Sequence, residues 1–528
     1  PVVANAISSG IFDTWECPNG HVPGDAKCDL TNPKVQANAN TLLPFCVSEA
    51  QENCIEGLSF INSEGNTVRA EYLRTVQGPI LEAIPDQMVY EGTSVSLFKV
   101  VGSENGLGTD TYAVNVFVTQ TFNKVKKVFE TRTVDASVYG YKDLVDPSIS
   151  AYKYDTITWE GGSHTGWHSS APSQCMWREE GSCGEFASLP AGVNIQLELR
   201  ISNQLTGWFR GRMKAPNIEI EPISSSNNRL VVSAQPVEVA RFYALATKEN
   251  TTAAGQKAII EHGGSPGQFR GNGVVYPFSN WGEFSWLEMF RGLANDKAVG
   301  TTTLWNFSTI DGQANNKCLA DKTKVLGIVS TNATLYNGVV PEYESGYLKY
   351  NVAGLHYMPD GELSLGSYDL VMDSSVARCI YGFTKAPVSA TVTVVGASGE
   401  DKVATTVVSE KDGWLKLAAY GFTFSEKEIQ VKLTQPFTKT ITKFSGSTKS
   451  LSSKQKAEIK ATVAKAKSNP KFICTGTYVN PSSKATALAR ARATCNYAKS
   501  LDKNHSYFAQ AKQTTAKSYD GKVMISSK

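Results

Sequence analysis

The chain has 528 residues, too many for one hydrophobic core and enough for roughly three to five domains. Its 41% apolar content, with 22 Phe, 21 Tyr and 9 Trp, excludes a disordered or collagen-like polymer. No apolar run reaches the ~18 to 20 residues that a helix needs to cross a bilayer, which argues against a membrane span. The net charge of +3 hides an asymmetry: Pro436 to Lys528 hold 18 Lys and Arg against three acids (Glu458, Asp502, Asp520), so a body near −12 precedes a tail near +15. This partition predicts attachment of the tail to something anionic, whether a wall polymer, nucleic acid or the acidic body of another copy.

From Pro1 to about Pro85 the sequence is turn-rich and carries four cysteines, and it reads as a stapled N-terminal module, residues 1–85. From Asp86 to Asn250 strands dominate. In Val193-Asn-Ile-Gln-Leu-Glu-Leu-Arg-Ile201 the residues Val193, Ile195, Leu197, Leu199 and Ile201 share one face, the pattern of a half-buried strand in an antiparallel sandwich, and Tyr112 to Val118 alternates likewise. Residues 251–345 are mixed, with a Gly-rich loop from His262 to Gly273 and a helix start at Trp286-Leu-Glu-Met-Phe290. Strand patterns return in 346–434, at Ala390–Val395, Val403–Val408 and Ile429–Leu433, and suit a further sandwich.

Ten cysteines fall into local pairs: Cys17 with Cys28, Cys46 with Cys54, Cys175 with Cys183, Cys318 with Cys379 and Cys474 with Cys495. CxxC knuckles of zinc ribbons do not occur, so paired disulfides in a secreted, extracellular or cell-surface protein are the expectation. Ala4 and Ala6 form an A-x-A pattern like the tail of a secretory signal, with cleavage either before Pro1 or after Ala6. Asn250, Asn306, Asn332 and Asn504 open Asn-x-Ser/Thr triplets, a pattern that also arises by chance.

The basic tail, 435–528, differs in kind. Phe437 to Phe444 alternates as a strand, and Ser452-Ser-Lys-Gln455 offers a capping box for a helix carrying Ile459, Val463 and Ala466 on one face until Asn469-Pro470. Phe472 to Val479 is a second strand, Ser483 to Leu501 a second helix, and Ser506–Ala511 and Lys522–Ser526 are further strands. The order is β-α-β-α-β-β, one sheet with both helices on one face.

That order, with Leu488-Ala-Arg-Ala-Arg492-Ala on the second helix, resembles the OmpA-like peptidoglycan-binding domain. In that family a Gly-x-Thr-Asp turn after the second strand and an Arg of the second helix clamp the diaminopimelate of the wall peptide. The resemblance implies that Arg492 takes the Arg position. The turn reads Gly476-Thr-Tyr-Val479, so the acid is missing, and Asn480 is the nearest polar substitute. A zwitterionic ligand presents an amine that needs an opposing anion, so the departure puts the ligand in question rather than the fold. Arg490, Arg492, Asn480 and Lys471 are the candidates for holding cell wall or an anion. The preceding segment, with Ser375 to Phe383 and Val403 to Leu415, resembles a largely uncharacterised domain of exported actinobacterial proteins, which implies an envelope setting. The fold class expected is mainly β: several tandem β-sandwich-like domains between a disulfide-stapled N-terminal module and a C-terminal α/β domain of OmpA-like type.

Signals for chemistry are sparse. Gly263-Gly-Ser-Pro-Gly267 matches a nucleophile elbow around Ser265, but Pro266 has no N–H for an oxyanion hole, so a Gly/Pro loop is the better reading. His164-Thr-Gly-Trp-His168 has the spacing of helical zinc ligands, yet Gly161, Gly162 and Gly166 oppose a helix, and a hydrogen-bonded surface loop is expected. Trp167, Trp177, Trp208, Trp281, Trp286 and Trp305 are expected in cores before any sugar-stacking role. Glu179 and Glu180 form an acidic pair without evidence of a cleft. No dinucleotide, P-loop or EF-hand fingerprint occurs, so no cofactor is expected. The tail's lysines are diffuse and lack an aromatic RNP-like strand, so a nucleic-acid partner is not expected.

Three readings follow. The first is a non-enzymatic surface structural protein that assembles head to tail into a homo-oligomer, filament or layer, its first residues Pro1 to Ile7 adding as a strand to another subunit. The second is a monomeric adhesin or carbohydrate-binding protein held on peptidoglycan or an anionic wall polymer. The third is a secreted hydrolase with scattered residues.

Overall fold

Alternating β-branched and aromatic residues favour pleated strands that bury one face, and the chain follows that preference almost throughout. The computed structural model describes residues 15–16, 38–76, 83–151, 153–159, 162–172, 174–246, 250, 252–253, 271–275, 284–310, 312, 314–382, 389–396, 399–401, 405–424, 427–434, 437–465 and 471–527. The protein is mainly β with several sheets, as its sequence implies. The segment Pro1 to Ile7 and the Ser265 loop lie outside the described residues.

A 14-stranded sheet forms the centre of the body. Its main path runs from Trp15–Glu16 through Asn38–Leu42, Thr111–Asn123, Val128–Val145, Asn306–Thr309, Gly207–Arg212, Val325–Thr331, Leu365–Asp373 and Trp414–Thr423 to Thr405–Lys411. Gly207–Arg212 and Val325–Thr331 pair in parallel, and the other neighbours on this path are antiparallel. A five-stranded antiparallel sheet covers one face, in the order Lys214–Pro222, Asn227–Gln235, Asn194–Ser202, Cys54–Ile61, Thr67–Arg69. Between them lie Tyr112, Val114, Val116, Phe209, Phe307 and Ile328 from the large sheet, against Ile55, Phe60, Ile195, Leu197, Leu199 and Val232.

The opposite face of the large sheet packs Leu326, Val329, Leu370, Met372, Leu415 and Leu417 against Leu348, Tyr350, Val394, Ile429 and Val431 of a six-stranded sheet. Val325–Thr331 is consequently buried along its whole length, which is why Val325-Leu-Gly-Ile-Val329 is a continuous apolar run and does not alternate. Gly327 is required there: a Cβ would stand 2.2 Å from the Val371 carbonyl oxygen and 2.7 Å from the Trp208 ring.

Layering corrects the domain boundaries drawn from the sequence. Those at 85, 250 and 345 cut hydrogen-bonded sheets: Cys54–Ile61 pairs with Asn194–Ser202, Asn306–Thr309 with Val128–Val145, and Val325–Thr331 with Leu365–Asp373. Local alternation marks strands but carries no information on which distant strand each will join. The mixed region does hold the expected helix, at Phe284–Leu293.

All six elements expected in the tail are present: Phe437–Ile441, helix Ser453–Lys465, Lys471–Tyr478, helix Lys484–Leu501, Ser506–Gln513 and Val523–Ser527. Ser452 and Gln455 form the reciprocal capping box, Gln455 N donating to Ser452 Oγ at 3.3 Å and Ser452 N to Gln455 Oε1 at 2.8 Å. In the sheet, Val523–Ser527 lies antiparallel between Phe437–Ile441 and Lys471–Tyr478, and Ser506–Gln513 extends it in parallel beyond Lys471–Tyr478. Among the described residues, the core beneath draws on the tail alone, with Ile441, Phe444, Ile459, Val463, Phe472, Ala491 and Ile525.

Four of the expected disulfides are formed among the described residues: Cys46–Cys54, Cys175–Cys183, Cys318–Cys379 and Cys474–Cys495. The fifth expectation, a bond from Cys17 to Cys28, differs from these four. Both Cys17 and Cys28 lie outside the described residues, so the bond between them stays an expectation from the sequence and is not part of the fold described.

Candidate functional site

In an α/β sheet, ligands bind beyond the carboxyl ends of parallel strands, where loops diverge. In the tail, Phe437–Ile441, Lys471–Tyr478 and Ser506–Gln513 end on the same side, and their loops are tied together there. Gly521 N donates to Thr477 O at 3.1 Å, Phe444 N to Gly521 O at 3.2 Å, and Thr514 N to Tyr478 O at 2.9 Å. Gly521 has φ +72°, the left-handed conformation that suits glycine, and a Cβ there would meet Arg490 Nη1 at 3.1 Å.

Arg490 is the organiser of this end. It is only 6% exposed, its Nε donates to Thr448 O at 2.8 Å, its Nη2 donates to Gly446 O, and its guanidinium lies 5.2 Å from the Phe444 ring centre. Burial lowers its pKa, with the Asp520 charge opposing that shift. Asp520 accepts Val479 N at 3.0 Å through Oδ1, so a carboxylate from another loop stands beside the Gly476–Val479 turn, which has no acid of its own. Sequence reasoning missed Asp520 because it belongs to the loop before the last strand; Tyr-Asp-Gly reads there only as a turn.

The four predicted residues do not form one site. Arg490 and Asn480 share this end, but Asn480 Oδ1 accepts Ser482 N at 3.1 Å and caps the short turn Pro481–Ser483. Arg492 is exposed, two residues from Arg490 and so roughly 200° around the helix from it. Lys471 begins the strand that Tyr478 ends, roughly 23 Å away at 3.3 Å per residue, and lies 4.6 Å from the Phe508 ring centre. What the loops at the carboxyl ends do present is cationic: Lys443, Lys449 and Lys517 are exposed and Lys522 is half-buried. Among the described residues, the exposed Lys443, Lys449, Lys454, Lys456, Lys460 and Lys517 form no ion pair, and His505 lies 3.1 Å from Asp502. Glu458 spends its carboxylate on Thr442, accepting its N–H at 2.8 Å and its hydroxyl.

The other candidates are resolved by geometry. His164 and His168 lie on a strand, Gly162–His168, paired with Lys153–Trp159, rather than on a surface loop. Four residues of strand span roughly 13 Å, against about 6 Å on a helix, so the spacing loses its meaning as a zinc motif. Among the described residues no three His, Cys, Asp or Glu gather as a metal site. Trp177, Trp208 and Trp305 are core, the last two donating to Leu319 O and Ala234 O at 3.0 Å each. Glu179 is held by both Arg74 nitrogens at 2.9 and 3.0 Å, and Glu180 accepts Ala151 N at 3.1 Å, so each has a structural partner of its own. Among the described residues no helix is long and apolar enough to cross a membrane.

Comparison with protein-family models, with curated proteins and with solved structures finds no match to this chain.

Proposed function

We propose that the protein is a secreted, extracellular structural protein that assembles with copies of itself, its basic C-terminal domain docking on the acidic body of the next molecule to build a filament or surface layer. One observation carries this reading. The cationic tail has a core of its own, and its exposed Lys443, Lys449, Lys454, Lys456, Lys460 and Lys517 form no ion pair among the described residues. Glu342, Asp360 and Glu362 are among the exposed acids of a body whose formal charge is near −12. A contact between unlike patches of identical chains is heterologous and propagates unless its rotation closes a ring. The four bonded cysteine pairs fit an oxidising compartment. The reading assigns no catalytic step to the chain.

Light scattering and negative-stain microscopy of the full chain test it. Exposed charge contacts are screened beyond ~8 Å at physiological ionic strength, so assemblies present at low salt dissolve at high salt. Lys454→Glu, Lys456→Glu and Lys460→Glu together, on exposed positions of one helix, abolish them at low salt. A particle that stays solitary at every ionic strength overturns the proposal.

Asp520 beside Arg490 favours a second reading, a wall-bound adhesin or carbohydrate-binding protein retained by peptidoglycan or an anionic wall polymer. Retention of solitary particles on purified wall, lost in Asp520→Ala, distinguishes it from the first.

A further inference from the structure

The seam between the five-stranded sheet and the large sheet holds a polar cluster that neither reading uses. Lys416 Nζ, on Trp414–Thr423, lies 2.7 Å from the side-chain oxygen of Asn217, on the edge strand Lys214–Pro222, across 199 residues of sequence. The same amide donates through Nδ2 to Glu219 Oε1 at 3.0 Å, which fixes its orientation with the oxygen toward the amine. Lys416 stands opposite Val371 and Ala418 opposite Asp369 in the neighbouring strand, so Asp369 and Lys416 are diagonal neighbours on one sheet face, about 7–8 Å apart at the backbone.

Asp369 is buried. Its Oδ1 accepts the Tyr420 hydroxyl at 2.5 Å, while its Oδ2 is buried without a hydrogen-bond partner. An orphaned carboxyl oxygen is costly to bury, and protonation relieves that cost. Burial pushes the Asp369 carboxyl up to about 6 and lowers the pKa of the half-buried Lys416 amine. The cluster therefore sets a carboxyl whose pKa is raised beside an amine whose pKa is lowered, at an amide already in contact. A groove of about 580 Å³ lined by Asn217, Glu219, Trp414 and Lys416 opens the site to solvent.

We propose that Lys416 and Asn217 condense into an intramolecular isopeptide bond joining the edge of the five-stranded sheet to the large sheet, with Asp369 as the acid that carries the proton. The neutral Nζ attacks Cγ of Asn217, the Nζ–Cγ bond forms and the Cγ–Nδ2 bond breaks. One Nζ proton passes to Nδ2, which departs as ammonia through the groove. The proton that ammonium Lys416 first loses goes to solvent, and the carboxyl ends in the state in which it began. No oxidant, metal or co-reactant enters the balance. Holding amine and amide in contact supplies the proximity that makes an otherwise slow aminolysis intramolecular. The product is a covalent tie between layers, suited to an extracellular protein under load, and it is independent of whether the chain assembles.

Intact mass of the full chain, denatured and with disulfides reduced, tests the bond. The expected mass is one ammonia below that of the sequence, and a digest yields a branched peptide joining Lys416 to Asn217. A succinimide at an asparagine gives the same loss without a branched peptide, so that result overturns the proposal, as does an unshifted mass. Lys416→Arg and Asn217→Ala restore the full mass. Asp369→Asn keeps the folded near-UV spectrum and the full mass; if it still loses ammonia and yields the branched peptide, the role given to Asp369 is wrong.

Discussion

Removing Cys474–Cys495 by the double change Cys474→Ala and Cys495→Ala tests whether the basic tail is an independent folding unit. The bond joins strand Lys471–Tyr478 to helix Lys484–Leu501 with a sequence separation of 21, inside a core that, among the described residues, draws on the tail alone. For a loop of that size, chain entropy alone gives about 3 kcal/mol of stabilisation. In a domain of this length each kcal/mol moves the midpoint by about 4–8 °C, so the tail transition falls by roughly 12–24 °C. Differential scanning calorimetry of the full chain, wild type against the double variant, reads this directly. One transition should move while those of the layered body stay. A shift shared by all transitions, or no shift, shows that the tail does not melt on its own core.

Two further outcomes follow from the geometry. Asp369 faces Tyr420, Lys214 and Lys416, and its carboxyl is raised from 3.8 to about 6 by burial. The native state therefore binds the extra proton between those values, and the stability this group contributes is full below about pH 4 and lost as pH rises through 6, about 3 kcal/mol in all. Urea unfolding of an Asn217→Ala protein with and without Asp369→Asn, at pH 4.5 and 7.5, should show the variant gaining relative to its parent by about 2 kcal/mol between the two, since about 1 kcal/mol of the total is already lost at pH 4.5; a pH-independent difference refutes the raised pKa. In the tail, Arg490→Ala strands the carbonyls of Gly446 and Thr448 and should cost about 2–4 kcal/mol, whereas the exposed Arg492→Ala should stay within about 0.5 kcal/mol by the same denaturation assay. Equal costs at the two positions contradict the assignment of Arg490 as the loop clamp.

What the sequence determined by itself was local or additive. Charge partition is a sum over residues, and the tail's elements follow from a capping box and a 3.6-residue period that act within a few residues of each other. Ile195, Leu197, Leu199 and Ile201 declared their buried face by alternation alone. Tertiary structure decided everything that depends on which distant segments meet. Cys54–Ile61 joins Asn194–Ser202, and Val325–Thr331 is buried on both faces, because hydrogen-bonding edges and apolar faces do not specify their partners in a single stretch of chain. The same limit hid the sites: a helical spacing of His164 and His168 has no chemical meaning on a strand, Asp520 comes to the turn after Tyr478 from another loop, and Lys416 reaches Asn217 only because two sheets pack. Chemistry needs contact at about 3 Å, and only packing of remote strands supplies it.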